Sequence, residues 1–169
     1  MAAEAAPAAA AAAAAAPPFV DLSGTWLVDK AKSESIAPFL AEVGVPRLVR
    51  GLAAKSSPTT VLVHETETLH VVQKTFFKNT GNTYRFGEEV DVTVPSGDVS
   101  KQTARVLESG EIQIVGAAVG ALLKRGWHQT RTTHTLQDGG DELVVVMELL
   151  RPGGEVGLRI RRVLKRKAA

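Results

Sequence analysis

The chain has 169 residues, of which 44% are hydrophobic, and a formal net charge of +2. That length suits one domain plus a tail. No cysteine occurs, which excludes disulfides and thiolate metal centres. No stretch is long and apolar enough to read as a membrane-spanning helix.

Residues 1–18, MAAEAAPAAAAAAAAAPP, are almost all alanine. The stretch lacks the basic start of a secretory signal, and Glu4 interrupts it; arginine and serine, expected in an organelle transit peptide, are missing. It reads as a low-complexity tail that is disordered or transiently helical, ended by Pro17 and Pro18. The folded domain is expected over residues 19–169.

Gly24–Thr25–Trp26 opens a first strand, with tryptophan as a plug for one end of a β structure. A helical region follows. Ser35 can cap it, Pro38 sits in its first turn, Phe39, Leu40 and Val43 form an apolar stripe, and Gly44 ends it. Pro46 starts a second short helix, with Leu48, Val49 and Leu52 apolar and Arg47, Arg50 and Lys55 polar. Two helices this short cannot hold a core alone, so they are expected to cover an opening as a lid.

The rest reads as strands. In TFFKNTGNTYRFGEEVD, from Thr75 to Asp91, local rules place a turn at Asn79–Asn82. Val90, Val92 and Val94 alternate with Asp91 and Thr93, and Ile112 and Ile114 alternate with Glu111 and Gln113. Turns are expected at Pro95–Asp98, Glu108–Gly110, Asp138–Asp141 and Pro152–Gly154. The piece VGAAVGALLKRG, Val115 to Gly126, fits either a bulged strand or a short inserted helix. Many short strands at this spacing predict an all-β meander, closed into a barrel or folded into a sandwich.

Two residues carry the functional argument. Val156, Leu158, Ile160 and Leu164 share one parity, and Arg162 falls on the same face. A guanidinium facing inward needs a carboxylate, water or an acidic headgroup as partner. A one-residue bulge would instead turn Arg161 inward. In WHQTRTTHTL, Thr130, Thr132, His134 and Leu136 share a face, so His134 and Arg131 cannot both point inward. A face of threonine and histidine suits a wet cavity holding an amphipathic ligand. His64, His70, His128 and His134 lack metal-ligand spacing, and no nucleophile elbow or phosphate loop occurs. No catalytic residue, metal or cofactor is assigned. The basic end RIRRVLKRK lacks the aromatic interleaving of a nucleic-acid platform.

Several motifs resemble those of the intracellular fatty-acid-binding protein family, which includes the cellular retinoid carriers. Phe77–Thr80 is like the family's FKNT. Tyr84, Arg85, Phe86, Gly87, Glu89 and Asp91 follow in its order and spacing. Ser57–Thr60, Gly44–Ala53, Gly24–Trp26 and Asp141–Leu143 are also similar. The resemblance implies a ten-stranded antiparallel β-barrel, a β-clam of the lipocalin type, with a two-helix lid over a cavity. It makes Asn79–Asn82 part of a continuous strand, with bends near Phe77 and Gly87. It implies a cytoplasmic, monomeric, non-enzymatic carrier of a long-chain fatty acid or similar hydrophobic molecule. A retinoid, sterol or isoprenoid is the alternative, as is an enzyme using the cavity on a lipid-like substrate. The implied ligand contacts are Phe39 on the first helix, Phe77 at the portal, Arg162 and Leu164 on the last strand, and His134 or Arg131 two strands earlier. Leu164 replaces the tyrosine that many members use. Arg47, Arg50 and Lys55 would make transient contact with anionic membrane.

Overall fold

The computed structural model describes residues 19–75 and 78–168. It contains ten strands: β1 Gly24–Val28, β2 Thr59–His64, β3 Thr68–Lys74, β4 Asn79–Arg85, β5 Glu89–Thr93, β6 Val99–Val106, β7 Ile112–Ala117, β8 Gln129–Gln137, β9 Glu142–Leu150 and β10 Val156–Arg166. They form one antiparallel sheet in the order β4-β3-β2-β1-β10-β9-β8-β7-β6-β5. The first and last strands of that order, β4 and β5, are consecutive in the chain, so the sheet curls back on itself without a hydrogen-bonded seam between them. Helices α1 (Ala37–Glu42) and α2 (Arg47–Lys55) lie between β1 and β2.

Local chemistry accounts for the breaks. Ala37 N–H donates to Ser35 Oγ at 3.2 Å, and a proline occupies the first turn of α1. Gly44, just beyond it, has φ +85°, a conformation that favours glycine. β4 runs unbroken through Asn79–Asn82, as the resemblance implied and the local turn rule did not. Before β4, Thr75 N–H bonds Lys78 O, and after it a turn falls at Gly87 with φ +83°. The stretch Val115–Gly126 takes the second of the expected forms, a short inserted helix, with no bulge in the strand before it. β7 continues to Ala117, and then a four-residue helix, α3 (Ala121–Lys124), bulges out before β8.

Directly opposed residues share a face, so the pairing defines an inner surface. Trp26 faces Thr60 and Arg166, and Val28 faces Leu164. On the far side, Arg162, Val145, His134 and Ile112 lie on one row across β10, β9, β8 and β7. One end of the barrel is packed solid. Leu22, Trp26, Leu62, Leu69, Ile112, Leu143 and Leu164 form a buried cluster there. Trp26 is fully buried, donates through Nε1 to Leu22 O at 3.1 Å, and carries the Arg166 guanidinium over its ring.

The seam between β4 and β5 is closed by side chains instead. Tyr84 Oη donates to Gln102 Oε1 at 2.7 Å, over a cluster of Tyr84, Val92 and Ala104. Burial raises the Tyr84 pKa to about 12 and keeps the phenol a donor. Gly116 makes room for Gln102, since a Cβ there would come within 2.9 Å of its side chain.

Candidate functional site

The barrel end under the helices is built differently from the plugged end. Neither α1 nor α2 has a buried residue. On the strands nearby, Ile114, Thr130, Thr132, Met147, Leu158 and Arg162 all face inward yet stay only half-buried. Inward side chains that keep solvent contact line an interior space rather than a packed core. Its walls mix methyl groups with hydroxyls, the composition of a wet amphipathic site.

The inner face carries many neutral polar groups, Thr60, His64, Gln73, Thr80, Asn82, Tyr84 and Gln102 among them. Arg162 and Arg166 are its only cations among the described residues, and no carboxylate lies on it. β10 bulges at Gly157, between Val156 and Leu158, and is regular from Leu158 on. Arg162 therefore pairs with Val145 and faces inward, whereas Arg161 pairs with Val146 on the outer face. The guanidinium finds a main-chain partner: Nη1 donates to Glu34 O at 2.6 Å. The Glu34 carboxylate accepts from Arg161 N–H at 2.8 Å. Desolvation lowers the Arg162 pKa from its ordinary value. Arg166 lies at the plugged end and donates to Gly140 O and Ser23 O.

His134 sits on the same row as Arg162, separated from it by the strand carrying Val145. Two strand spacings put the backbones roughly 10 Å apart. His134 is buried, and its Nδ1 meets no protein partner. Burial lowers its pKa to about 4, with the Ile112 main chain opposing the shift, so the ring is neutral at physiological pH. His64 is the other buried imidazole. It accepts Leu22 N–H at Nδ1, packs against Phe19 and Phe86, and has its pKa lowered by burial.

The expected site residues separate into groups. Arg162 and His134 share the inner face. Phe39 packs with Leu122, Trp127, Leu149 and Leu158 where α1 meets the barrel. Leu164 is 5% exposed within the plugged-end core, so it is packing rather than an open wall. Arg131 faces outward, with Nε 2.9 Å from Glu148 Oε1. It lines a shallow outer pocket of about 300 Å³ with Thr103, Arg105, Gln113, Val115 and Gln129. The strand's alternation forces this once His134 is inside. Phe77 lies outside the described residues.

Two features escaped the sequence reading. The first is the tie between lid and barrel made by the α3 insertion. Trp127 Nε1 donates to Glu42 Oε2 at 2.7 Å, Arg125 donates to Ala41 O, and the Arg151 guanidinium covers the Trp127 ring at 3.7 Å. Gly157 leaves space for that ring, since a Cβ there would fall 2.6 Å from it. Its only sequence signal was a second tryptophan next to an unexplained Gly/Ala-rich piece. The second is the direction of α2. Leu48 is 79% and Leu52 48% exposed, so two of the three apolar residues face outward and only Val49 is half-buried. The two leucines lie one turn apart beside Arg47 and Lys55, which are exposed, while Arg50 Nη1 is engaged with Val45 O.

Among the described residues no cluster of three or more His, Cys, Asp or Glu could hold a metal, and no helix is long and apolar enough to cross a membrane.

No family model matches the chain. Individual proteins do. Fatty acid-binding protein homolog 5 of Caenorhabditis elegans is 31% identical over 121 residues, covering 69% of this chain and 87% of the relative. Fatty acid-binding protein 12 of mouse is 29% identical over 93 residues, 55% of this chain and 69% of the relative. The fold is shared with a Schistosoma mansoni fatty acid binding protein solved with arachidonic acid, at TM-score 0.68 and 18% identity, covering 87% of this chain and 96% of that one. Human cRBP IV superposes at TM-score 0.70 and 17% identity, over 88% and 99%. With an extended match across most of a relative's length and the same ten-stranded architecture, the chain belongs to the fatty-acid-binding protein family.

Proposed function

We propose that this protein is a carrier that holds one long-chain amphipathic lipid, a fatty acid or a molecule of similar length, inside the barrel. The observation that carries the reading is the inner face beneath the lid, where Ile114, Met147 and Leu158 stay half-buried beside the hydroxyls of Thr130 and Thr132 and the guanidinium of Arg162. The hydrocarbon chain would lie against Ile114, Met147 and Leu158, where burial contributes about 0.8 kcal/mol per CH₂. Family relatives named as fatty acid-binding proteins, and a neighbour solved with arachidonic acid, support a lipid of this kind. The protein would act as a cytoplasmic monomer and without turnover.

Delivery would use α2. Its exposed Leu48 and Leu52 can enter a lipid surface while Arg47 and Lys55 meet anionic headgroups. Such attraction weakens with salt.

The test is mass spectrometry of lipid extracted from purified protein, with titration of a fluorescent fatty-acid analogue. Saturable one-to-one binding is expected. Absence of both copurified lipid and saturable binding overturns the carrier. Release of product during the titration would favour a cavity enzyme instead.

A further inference from the structure

The insertion between β7 and β8 adds a surface that closing the barrel does not require. Resting on the reading of this protein as a carrier that delivers to membranes through α2, we propose that α3 is a second contact with an anionic lipid surface, so that the protein docks on both sides of the turn between α1 and α2.

The two leucines of α3 have opposite fates. Leu122 is buried and packs with Ala118, Trp127 and Leu149. Leu123 is 60% exposed, and Lys124 and Arg125 beside it are exposed too. One exposed leucine is ordinary on a protein surface. Its place gives this one a meaning. Gly44, in the turn after α1, sits so close to α3 that a Cβ on it would come within 3.0 Å of Ala121 Cβ. Leu123 lies one step beyond Leu122 on that helix, and Leu48 lies one turn beyond Gly44. The exposed leucines of α2 and α3 therefore flank one junction at the lid end.

The insert is also held in shape. Arg125 donates to Ala41 O, Arg151 Nη1 donates to Arg125 O at 2.9 Å, and Trp127 N–H donates to Leu122 O at 3.0 Å. At the start of α3, Gly120 has φ +57° and lies against the Asp98 carboxylate of the β5–β6 turn. A side chain presented from a fixed turn enters a bilayer without the entropy loss of ordering a loop.

Charge selects the partner. Lys124, Arg47 and Lys55 enter no ion pair among the described residues. Of the carboxylates at the junction, Glu42 faces Arg125 at 4.0 Å and accepts from Trp127 Nε1, and Asp98 accepts from Ser96 Oγ at 2.7 Å. Positive charge prevails there, as contact with anionic headgroups requires. A stable protein interface buries about 800 Å² on each partner around an apolar centre. Three leucines set apart among cations do not form such a centre. A fluid bilayer needs no matching shape, and each leucine can enter it singly.

The chain has no cysteine, so single positions can be labelled cleanly. The environment-sensitive fluorophore NBD is attached to full-length Leu123→Cys, Leu48→Cys and Gln137→Cys, all exposed positions, the last at the plugged end beside Leu136. Vesicles of phosphatidylcholine, with or without phosphatidylserine, are then added. The labels at Leu123→Cys and Leu48→Cys should brighten and shift to the blue with the anionic vesicles and much less with the neutral ones, while Gln137→Cys stays unchanged. Unlabelled Lys124→Glu should bind the anionic vesicles about tenfold more weakly or worse at low salt. Circular dichroism checks that each variant is folded. A silent label at Leu123→Cys beside a responding one at Leu48→Cys overturns the second contact and leaves delivery through α2 standing. Unchanged binding by Lys124→Glu overturns it too, as does a response at Gln137→Cys equal to that at Leu123→Cys. A shift that appears without vesicles as protein concentration rises would make this a contact between copies of the chain and also overturns the proposal. If neither lid-end label responds, the delivery reading fails and takes this inference with it.

Discussion

The two ends of the barrel are made from the same ten strands, yet they obey different rules. At the plugged end, Leu22, Trp26, Leu62, Leu69, Ile112, Leu143 and Leu164 are each 5% exposed or less. At the lid end, the helices bury no residue, and threonines, a methionine and an arginine on the inner face remain partly open. Each strand that reaches both ends thus switches from packing to lining along its length. β8 shows it: Leu136 packs against the plugged-end core, whereas Thr130 and Thr132 line the open part. Stability is concentrated where the ligand does not go, which leaves the lid end free to admit a long molecule without unfolding the sheet.

Substitutions at the plugged end should show the largest effects. Trp26→Ala removes a fully buried ring together with its bond to Leu22 O and its stack with Arg166. A loss of about 3–5 kcal/mol is expected, read as a fall in denaturant midpoint. A loss below about 1 kcal/mol would mean that this end is not the anchor and would remove the contrast between the two regions.

Acid should be nearly as damaging. His134 is held neutral, with its pKa lowered by burial from 6.5 to about 4. Above pH 6.5 both folded and unfolded chains carry it uncharged, and its contribution to stability is complete. Between 6.5 and 4 the unfolded chain takes up the proton while the folded chain does not, so stability falls with pH. Below about 4 both are protonated and the decline from this group ends. At about 1.4 kcal/mol per pH unit the loss is roughly 3 kcal/mol. His64, its pKa also lowered by burial, adds to the loss as pH falls below 6.5 and would also lose its acceptor for Leu22 N–H. Chemical denaturation from pH 7.5 to 4 measures the slope, and His134→Leu should flatten it.

Much of this division was legible in the residues. Parity narrowed the inner face to Arg162 or Arg161 and to His134 or Arg131, because a period of two makes neighbours exclusive; the strand register selects Arg162 and His134. The turns rested on Gly, Pro and Asp chemistry that acts locally. What stayed hidden depends on contacts distant in sequence. That Arg162 is met by the Glu34 carbonyl, 128 positions away, has no local signal. Nor does the pairing of Trp127 with Glu42 across 85 positions. The exposed stripe of α2 misled for another reason. An amphipathic pattern shows that a helix has an apolar side, but not whether that side meets its own barrel or another surface.

The lid itself contains a smaller version of the same contrast. α1 is pinned to the barrel by Trp127, Glu42 and Arg125, whereas α2 turns Leu48 and Leu52 outward. Trp127→Phe keeps a large ring but removes the N–H that Glu42 accepts. A destabilisation of about 1 kcal/mol is expected, together with faster probe exchange in stopped-flow, since α1 would be released. An unchanged exchange rate would place the portal elsewhere.

Leu48→Gln with Leu52→Gln should do the reverse. Both side chains are mostly in solvent, so folding stability should move by no more than about 0.5 kcal/mol. Transfer of lipid to anionic vesicles should slow several-fold, because the apolar pair no longer enters the bilayer. Arg47→Glu should slow it further, with the greatest effect at low salt, where the attraction between basic residues and headgroups is least screened. If the double glutamine variant transferred lipid at the original rate while Trp127→Phe changed it, the tied helix rather than the free one would be the membrane-facing element. If stability fell by more than 2 kcal/mol, the two leucines would be covering the barrel after all, and the separation between a structural end and a working end would have to be drawn between the two lid helices in the opposite sense.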